Sequence, residues 1–416
     1  MIIALVTNKE ETFKTMLNDK KILLGVTGGI AAYKACALTS LLVKKDCQVD
    51  VIMTPNAQKF VGAATFQALT HRHVYVDTFD KYAPECVHHI KLPEGADAFV
   101  IAPATANTIA KIAHGIADNL LTSAALVAQG VKIIAPAMNT MMYENPATQE
   151  NLHTLERHGW NIIEPVQGRL ACGTTGKGKM SEPEEILQTI EHIIAFPHDM
   201  AGENVIVTAG PTQESIDPVR YLTNHSTGRM GFEIAKAAAD RGANVTLISG
   251  PTSLTPPKYV ELVKVTTAKD MFEAVTAHFA NASIVVKAAA VADYRPIQVS
   301  ANKIKKKDGD LNLPLERTQD ILKHLGEHRT SQIICGFSME TENLIENSRA
   351  KLEKKKVQLI AANSLRDKGA GFGTSTNIVT LITKDDTTEL PIMGKDLVAH
   401  KILDKIMQIK KDIHAK

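Results

Sequence analysis

Two stretches of this chain open in the same way. "KKILLGVTGGIAAYKACALTSLLVKKDCQVDVIM" (20–53) and "NVIVTAGPTQESIDPVRYLTNHSTGRMGFEIAKAAADRGANVTLIS" (204–249) each read as an apolar strand, a Gly- and Thr-rich loop, an amphipathic helix and a second apolar strand. Two strands joined through a helix lie parallel, so each stretch begins a helix-covered parallel sheet. At 416 residues the chain is too long for one ordinary core. The doubled opening therefore predicts an α/β protein of two consecutive doubly wound, mostly parallel, Rossmann-like domains. The polar, Pro- and Gly-containing "AFPHDMAGEN" (195–204) supplies the boundary, giving domains 20–197 and 198–416 behind an extension, 1–19, that fits neither.

The alternation continues through both halves. Ile22–Val26, Val49–Met53, Ala98–Ala102, Val131–Ala135 and Asn161–Glu164 read as strands, with helical spacing over Ile30–Lys45 and through "NTIAKIAHGIADNLLTSAALVA" (107–128). In the second half, strands are expected at Val205–Thr208, Val245–Ser249, Val260–Val265, Ile284–Ala288, Ile333–Phe337 and Leu359–Ala362. Helices are expected at about Gly231–Arg241, Ala268–Asn281, Asp320–His328 and Thr341–Lys356, with a last one from Lys395 to about Asp412. "NIVTLITKDDTTELPIM" (377–393) reads as a hairpin, two alternating runs flanking a polar turn.

Composition excludes several functions. A net charge of +2 provides no global basic field for nucleic acid or anionic lipid, so phosphate recognition must be local. No apolar run reaches the roughly 18 residues of a membrane helix, and the N-terminus lacks a signal-peptide pattern. The five cysteines (Cys36, Cys47, Cys86, Cys172, Cys335) form no C-x-x-C pair, which argues against a zinc site or disulfide framework and for a reducing cytoplasm.

Chemistry concentrates at strand ends. "VTGGIAAYK" puts two glycines between a strand and a helix N-terminus, either as a phosphate cradle or as a plain tight turn. It is not G-x-G-x-x-G, so a mononucleotide suits it better than a dinucleotide. "IAPATANTIAK" and "APAMNTMM" add small, hydroxyl and amide residues just past two more strands, where doubly wound sheets bind ligands. Together "TGGIAAYK", "APATANT", "PAMNTMMYENPAT" and "ACGTTGKGKM" resemble the FMN-dependent cysteine decarboxylases, in particular the phosphopantothenoylcysteine decarboxylase domain, a flavodoxin-like flavoprotein fold. Pro136, Met138, Asn139 and Met142 match its Pro-x-Met-Asn-x-x-Met pattern. The resemblance implies FMN contacts at Gly28, Gly29, Ile30, Thr54, Thr105 and Asn107. It gives Asn139 the carboxylate of the substrate's cysteine moiety, and makes Cys172 a proton donor on a flap and His89 a base or orienting group. Lys177 and Lys179 stand where they would favour a thiolate at Cys172. The plain alternatives are an inert apolar Cys172 and a surface pair of His88 and His89 at a strand start.

The second opening also lacks a dinucleotide fingerprint, and no Tyr-x-x-x-Lys accompanies it for hydride chemistry. Downstream, "KAAAVADYRPIQVSANKIKKKDGD" runs into Asp293 and a loop with Lys303, Lys305, Lys306 and Lys307. Lys351 and Lys355 share one helix face at i, i+4. Either these lysines are solvated charges, or the two clusters converge on a cleft that neutralises a triphosphate. "TAGPT", "DPVRYLTNHSTGRMG", "AAAVADYRP", "KIKKK", "GFSMET" and "RAKLEKKKVQLIAAN" resemble, in order, the bacterial CTP-using phosphopantothenate–cysteine ligases. The resemblance implies that Asn224 contacts an acyl-cytidylate and that Lys303 acts on the activated carboxylate and phosphates. It places CTP among Ala288, Ala289, Asp293, Lys303, Gln319, Asp320, Ile321, Leu322, Phe337, Lys351 and Lys355. The chain departs from the two patterns at Thr174, where an acidic residue is usual, and at Thr318-Gln319, where Asn-Pro or Thr-Pro is usual.

Across about residues 20–405 the chain thus resembles the bifunctional coenzyme A biosynthesis proteins. The implied cofactors are FMN and Mg2+ arriving with CTP, and no fixed metal ligand is expected. The implied partners are 4′-phosphopantothenate, cysteine and CTP, with a homo-oligomer of flavin-domain trimers and ligase-domain dimers. The competing classes are a non-catalytic flavin-binding regulator, which characteristically lacks the Cys or His present here, and another FMN-dependent flavoprotein fused to a nucleotide-binding domain.

Overall fold

The computed structural model describes residues 17–79, 87–169, 173, 175–305, 311–340, 343–364 and 376–414. The chain divides into two compact units, with the break between Pro197 and His198. The first unit runs β1 (Lys21–Val26), α1 (Ala32–Lys44), β2 (Gln48–Met53), α2 (Ala63–Thr70), β3 (Val74–Tyr75), α3 (His88–Lys91) and β4 (Ala98–Ala104). It continues with α4 (Ala106–Ala113), α5 (Leu120–Val127), β5 (Val131–Pro136), α6 (Thr140–Tyr143), α7 (Pro146–Arg157), β6 (Trp160–Ile162), β7 (Val166–Arg169), β8 (Thr175–Lys179) and α8 (Pro183–Ile194). Six strands form one sheet in the order β3-β2-β1-β4-β5-β6, every pair parallel. β7 and β8 form a separate antiparallel hairpin.

The sheet is buried on both sides, which is why β4 has no exposed residue and β1 exposes only its first. Strand periodicity sorts the two faces. Ile22, Leu24 and Val26 pack with Ala35, Leu38 and Leu42 of α1 and Ile186 and Ile190 of α8. Leu23, Phe99 and Ile101 pack with Ile109, Leu121, Leu152 and Leu155 of α4, α5 and α7 on the other face.

The second unit repeats the plan. Its elements are β9 (Asn204–Ala209), β10 (Gln213–Ser215), β11 (Tyr221–Thr223), α9 (Arg229–Asp240), β12 (Asn244–Ser249), β13 (Val260–Lys264), α10 (Ala268–Phe279), β14 (Ile284–Lys287) and β15 (Tyr294–Pro296). There follow β16 (Leu315–Arg317), α11 (Ile321–His328), β17 (Ile333–Glu340), α12 (Leu344–Lys355), β18 (Leu359–Ser364), β19 (Thr376–Asn377), β20 (Val379–Ile382), β21 (Thr387–Glu389), β22 (Met393–Gly394) and α13 (Lys395–His414). The main sheet is β13-β12-β9-β14-β17-β18-β20-β21. Its first six strands are parallel, with the first strand in sequence at the centre, as in the first unit. β20 and β21, the expected hairpin, add antiparallel to β18. Val205, Val207 and Val286 face α9 and α13, while Ile206 and Val285 face α10, α11 and α12.

The doubled opening thus yields two doubly wound sheets, as the sequence predicts. Three local expectations differ. The helical stretch 107–128 is broken into α4 and α5, because the chain turns at Gly115 with φ 68° and restarts behind Asn119, whose side chain caps α5. His88 and His89 open a short helix rather than a strand, and His88 is buried against the Tyr75 ring at 4.9 Å. The short hairpins β7–β8, β10–β11 and β15–β16 escape the sequence reading, since three- to five-residue, mostly polar strands leave little period-2 signal.

Candidate active sites

In each sheet the strand order reverses beside the central strand, between β1 and β4 and between β9 and β14. The loops at the carboxyl ends there diverge and leave a crevice.

At the first crevice, Thr27 follows β1. Its hydroxyl donates to Pro103 O at 2.7 Å and accepts from Thr105 N at 3.0 Å, tying the two loops together. Gly28 lies so close to the loop after β2 that a Cβ would stand 2.6 Å from Asn56 Cβ. Gly29 has no such constraint: its nearest atom would be Thr105 Cγ2 at 3.7 Å. One glycine is needed for packing, the other leaves an open cradle. Thr105 caps α4, and Asn139 caps α6 by accepting from Met141 N at 2.8 Å. The β7–β8 hairpin docks on that turn: Gly178 accepts from Met138 N at 3.0 Å, and a Cβ at Gly178 would meet Met138 O at 2.4 Å.

These parts enclose a cavity of about 620 Å3. Gly28, Gly29, Ile30, Thr105 and Asn139 line it, as do Tyr33, Lys34, Met138, Met142, Arg169, Gly178 and Met180. Thr54, Asn107 and His89 are not among its lining residues. The Thr54 hydroxyl is buried without a hydrogen-bond partner among the described residues, Asn107 is exposed on the first turn of α4, and His89 is half-buried on α3. Cys172 and Thr174 lie outside the described residues, between the last register pair of the hairpin, Arg169 and Thr175. The lysines expected to favour a thiolate each pair with a carboxylate. Lys177 pairs with Glu164, which also accepts from Tyr143 Oη at 2.9 Å, and Lys179 pairs with Glu182 at 2.9 Å. Lys34, 7% exposed, donates to Met180 O and pairs with the other oxygen of Glu182 at 2.9 Å. The hydrogen bond from Lys34, then that from Lys179, holds the Glu182 carboxyl below the usual carboxylate range.

At the second crevice the segment after β14 is threaded between two loops. Ala289 N donates to Thr208 Oγ1 at 3.2 Å, Ala290 N to Gly210 O at 3.0 Å and Ala292 N to Thr212 Oγ1 at 3.0 Å. On its other side Thr318 Oγ1 donates to Ala292 O at 2.6 Å. Gly231 lets α9 approach the end of β9, where a Cβ would meet Ala209 Cβ at 2.6 Å.

Beside this segment is a cavity of about 430 Å3 lined by Lys287, Val291, Asp293, Tyr294, Arg317, Thr318, Gln319, Asp320, Ile321, Leu322, Phe337, Lys351 and Lys355. Eight of the eleven residues expected around CTP are there; Ala288, Ala289 and Lys303 are not in the lining. Asp320 caps α11 and pairs with Lys355, while Lys351 Nζ donates to Phe337 O at 2.9 Å. Asn224 is also outside the cavity, donating to Ala290 O at 3.1 Å. Lys303 sits next to Ile304, whose N–H donates to the buried Asp217 at 3.1 Å and whose carbonyl accepts from Arg220 at 2.9 Å. The Arg220 guanidinium holds Asp217 well below the carboxylate range.

Of the two lysine clusters expected to converge on this cavity, only that of Lys351 and Lys355 lines it among the described residues. Lys303 and Lys305 are exposed elsewhere, Lys306 and Lys307 lie outside the described residues, and the additional cations are Lys287 and Arg317. The sequence reading missed both. A lysine ending the apolar run "IVVK" at a carboxyl strand end was signal enough for Lys287.

The fold and the two crevices define a tandem α/β protein with a cavity beside the switch point of each sheet, where sheets of this kind bind ligands. The flavoprotein family model matches residues 10–195, and the model described as the DNA/pantothenate metabolism flavoprotein C-terminal domain matches 200–409. The coenzyme A biosynthesis bifunctional protein CoaBC of Bacillus subtilis (strain 168) is 49% identical over 95% of this chain and 98% of its own. That of Haemophilus influenzae is 42% identical over 94% and 98%. A crystal structure of the C-terminal domain of a CoaBC protein shares 43% identity, covers 52% of this chain and 98% of its own, and superposes with a TM-score of 0.44. The chain belongs to the family of coenzyme A biosynthesis bifunctional proteins.

Proposed function

We propose that the second unit joins cysteine to 4′-phosphopantothenate at the expense of CTP, and that the first decarboxylates the resulting phosphopantothenoylcysteine to 4′-phosphopantetheine with FMN. The observation that supports this most is the pair of crevices at equivalent points of two like sheets, one cradled by glycines and apolar walls, the other crowded with cations.

The first crevice fits a flavin mononucleotide. It offers an open backbone turn at Gly29, an uncapped N-terminus of α1, apolar walls from Ile30, Met138, Met142 and Met180, and the unpartnered Thr54 hydroxyl nearby. Gly28, Gly29, Ile30, Thr54, Thr105 and Asn107 would hold it, and when bound it supplies a reversible two-electron oxidation that gives the carbanion left by CO2 a place to delocalise. The residues of the chain orient and protonate. Asn139, held on the cavity wall at the head of α6, binds the substrate carboxylate. Cys172 delivers the proton to the carbon that lost CO2. His89, away from the cavity of its own chain, serves as base or orienting group in a homo-oligomer whose flavin sites form between subunits. Exposed apolar side chains on the cavity wall, Ile30 and Tyr33 at 61% and Met142 at 49%, support such an assembly.

In the second unit a phosphopantothenate carboxylate oxygen attacks the α-phosphorus of CTP, and the bond to pyrophosphate breaks. The cysteine amine then attacks the acyl carbon of the acyl-cytidylate, CMP leaves, and the amine's proton passes to solvent or a base. Lys351, Lys355 and Arg317 offset the charge of the triphosphate and its transition state, Mg2+ arrives on the phosphates, and Lys303 and Asn224 act on the acyl-cytidylate. No helix among the described residues is long and apolar enough to cross a membrane.

Incubation with 4′-phosphopantothenate, cysteine, CTP and Mg2+ should give 4′-phosphopantetheine by mass analysis, from a yellow protein. A colourless protein that does not take up FMN would sink the first half. Equal turnover with ATP would sink the CTP assignment.

A further inference from the structure

Lys287 is the last residue of β14. Strand alternation puts its side chain on the face of Val285, whose core includes Ile321, Leu322 and Leu352 of α11 and α12, and Ile321 and Leu322 line the second cavity with it. An apolar residue is the ordinary occupant of such a place. Here an ammonium opens instead into the second cavity, beside the groups that face it from every packed element. These are Lys351 and Lys355 on α12, Asp320 at the head of α11, Asp293 and Tyr294 on the segment after β14, and Arg317 on β16. Lys355 is paired with Asp320, and Lys351 is bound to Phe337 O. Among the described residues, Lys287 Nζ makes no hydrogen bond or ion pair.

A half-buried cation held in a cleft with other cations, and in direct ion pair with neither Asp293 nor Asp320, awaits an anion from outside. Resting on the reading of this cavity as the CTP site, we propose that Lys287 is a phosphate ligand of the nucleotide and that it takes up a proton as the triphosphate arrives.

The free-state electrostatics agree. Burial first, then the charge of Lys351, bring the Lys287 ammonium down to about 8, against a smaller opposing pull from Asp320 and Asp293. A bound polyanion reverses that balance and restores the group toward the ordinary lysine value of about 10.4. The sign follows. Below pH ~8 the ammonium is charged in both states and binding takes up little. Between pH ~8 and ~10 only the complex holds the proton, so binding takes it up and affinity falls as pH rises.

The test is calorimetric titration of the full-length protein with CTP and Mg2+ at pH 8.5, in two buffers of different ionisation enthalpy. The wild type should take up about 0.7 proton per CTP, from the fraction neutral at that pH. Lys287→Arg, charged throughout, should keep its affinity and lose that uptake. Lys287→Met should bind about ten-fold more weakly at pH 7.5, the loss of one charge-assisted contact, with an unchanged thermal melt. Equal uptake by wild type and Lys287→Arg, or unchanged affinity in Lys287→Met, overturns the proposal while leaving the cavity a CTP site. If wild-type CTP binding is unaltered by Lys351→Met and Lys355→Met together, the site assignment itself is wrong.

Discussion

Two crevices at the same place in two like sheets are built from opposite materials. The first is made largely of glycine, methionine and small residues, and of its three lining cations, Lys34, Arg169 and Lys179, two are already paired with Glu182. The second has Lys287, Arg317, Lys351 and Lys355 around one cavity, with Asp293 and Asp320 as its carboxylates. Under the proposed function the difference has a physical cause. A flavin that stays bound through many turnovers is best held by shape and buried apolar area, which do not have to be undone each cycle. A triphosphate that is cleaved and released needs charge that acts on the transition state and lets go of the fragments. On that reading the frame fixes where a nucleotide sits, and the side chains decide whether it is kept or consumed.

The sharpest way to break this comparison is to disable one half at a time. Lys303→Gln should cut CTP-dependent pyrophosphate release by about 10²- to 10³-fold, the scale of one lost transition-state contact. The same variant should decarboxylate supplied phosphopantothenoylcysteine at the wild-type rate. Cys172→Ser should do the reverse, forming phosphopantothenoylcysteine normally and failing to deliver 4′-phosphopantetheine. Loss of both activities in either variant would mean that the halves are not chemically independent.

The glycine turn comes next in size. Gly28→Ala places a methyl 2.6 Å from Asn56 Cβ and 2.9 Å from its backbone carbon. Overpacking of that kind costs about 1–3 kcal/mol, so the melting transition of the flavin unit should fall and ligase activity should not. Gly29→Ala meets nothing closer than 3.7 Å. It should melt like the wild type yet purify with less flavin, because its methyl enters the proposed cradle. Full flavin content in Gly29→Ala would move the phosphate away from this turn.

How much of this was legible in the sequence follows from the range over which each signal acts. The sheets were legible because buried parallel strands need unbroken apolar runs, as in "AFVIAPA" of β4 and "IVVK" of β14. The glycine turn and the lysines of α12 were legible because strand-end position and i, i+4 spacing are local. What escaped depends on long-range pairing. Nothing near Lys177 or Lys179 in sequence says that Glu164 neutralises the first, and the effect of Lys287 exists only because α11 and α12 fold over its strand. The Asp217–Arg220 clamp on Ile304 joins residues 87 positions apart, although "DPVR" and "KIKKK" were each visible.

Lys355→Met is expected to act on the second crevice by about ten-fold in the KM for CTP. It removes one cation and leaves Asp320 facing the phosphates. Decarboxylation measured on the same preparation should not change, and an equal fall in both activities would point to misfolding rather than to the nucleotide.

The smallest effect separates the two materials without any mutation. Attraction between a triphosphate and partly exposed cations is screened by salt, with a Debye length of about 10 Å at 0.1 M and about 3 Å at 1 M. Contacts made by glycine backbone and apolar walls are screened little, and burial of apolar area is if anything favoured by a salting-out anion. Raising NaCl from 0.1 to 0.5 M should therefore weaken CTP binding a few-fold while FMN stays on the protein through gel filtration. The two responses have to part in that direction. Flavin loss that tracks the loss of CTP affinity would mean that charge holds both ligands, and the contrast between the crevices would then be one of composition and not of binding physics.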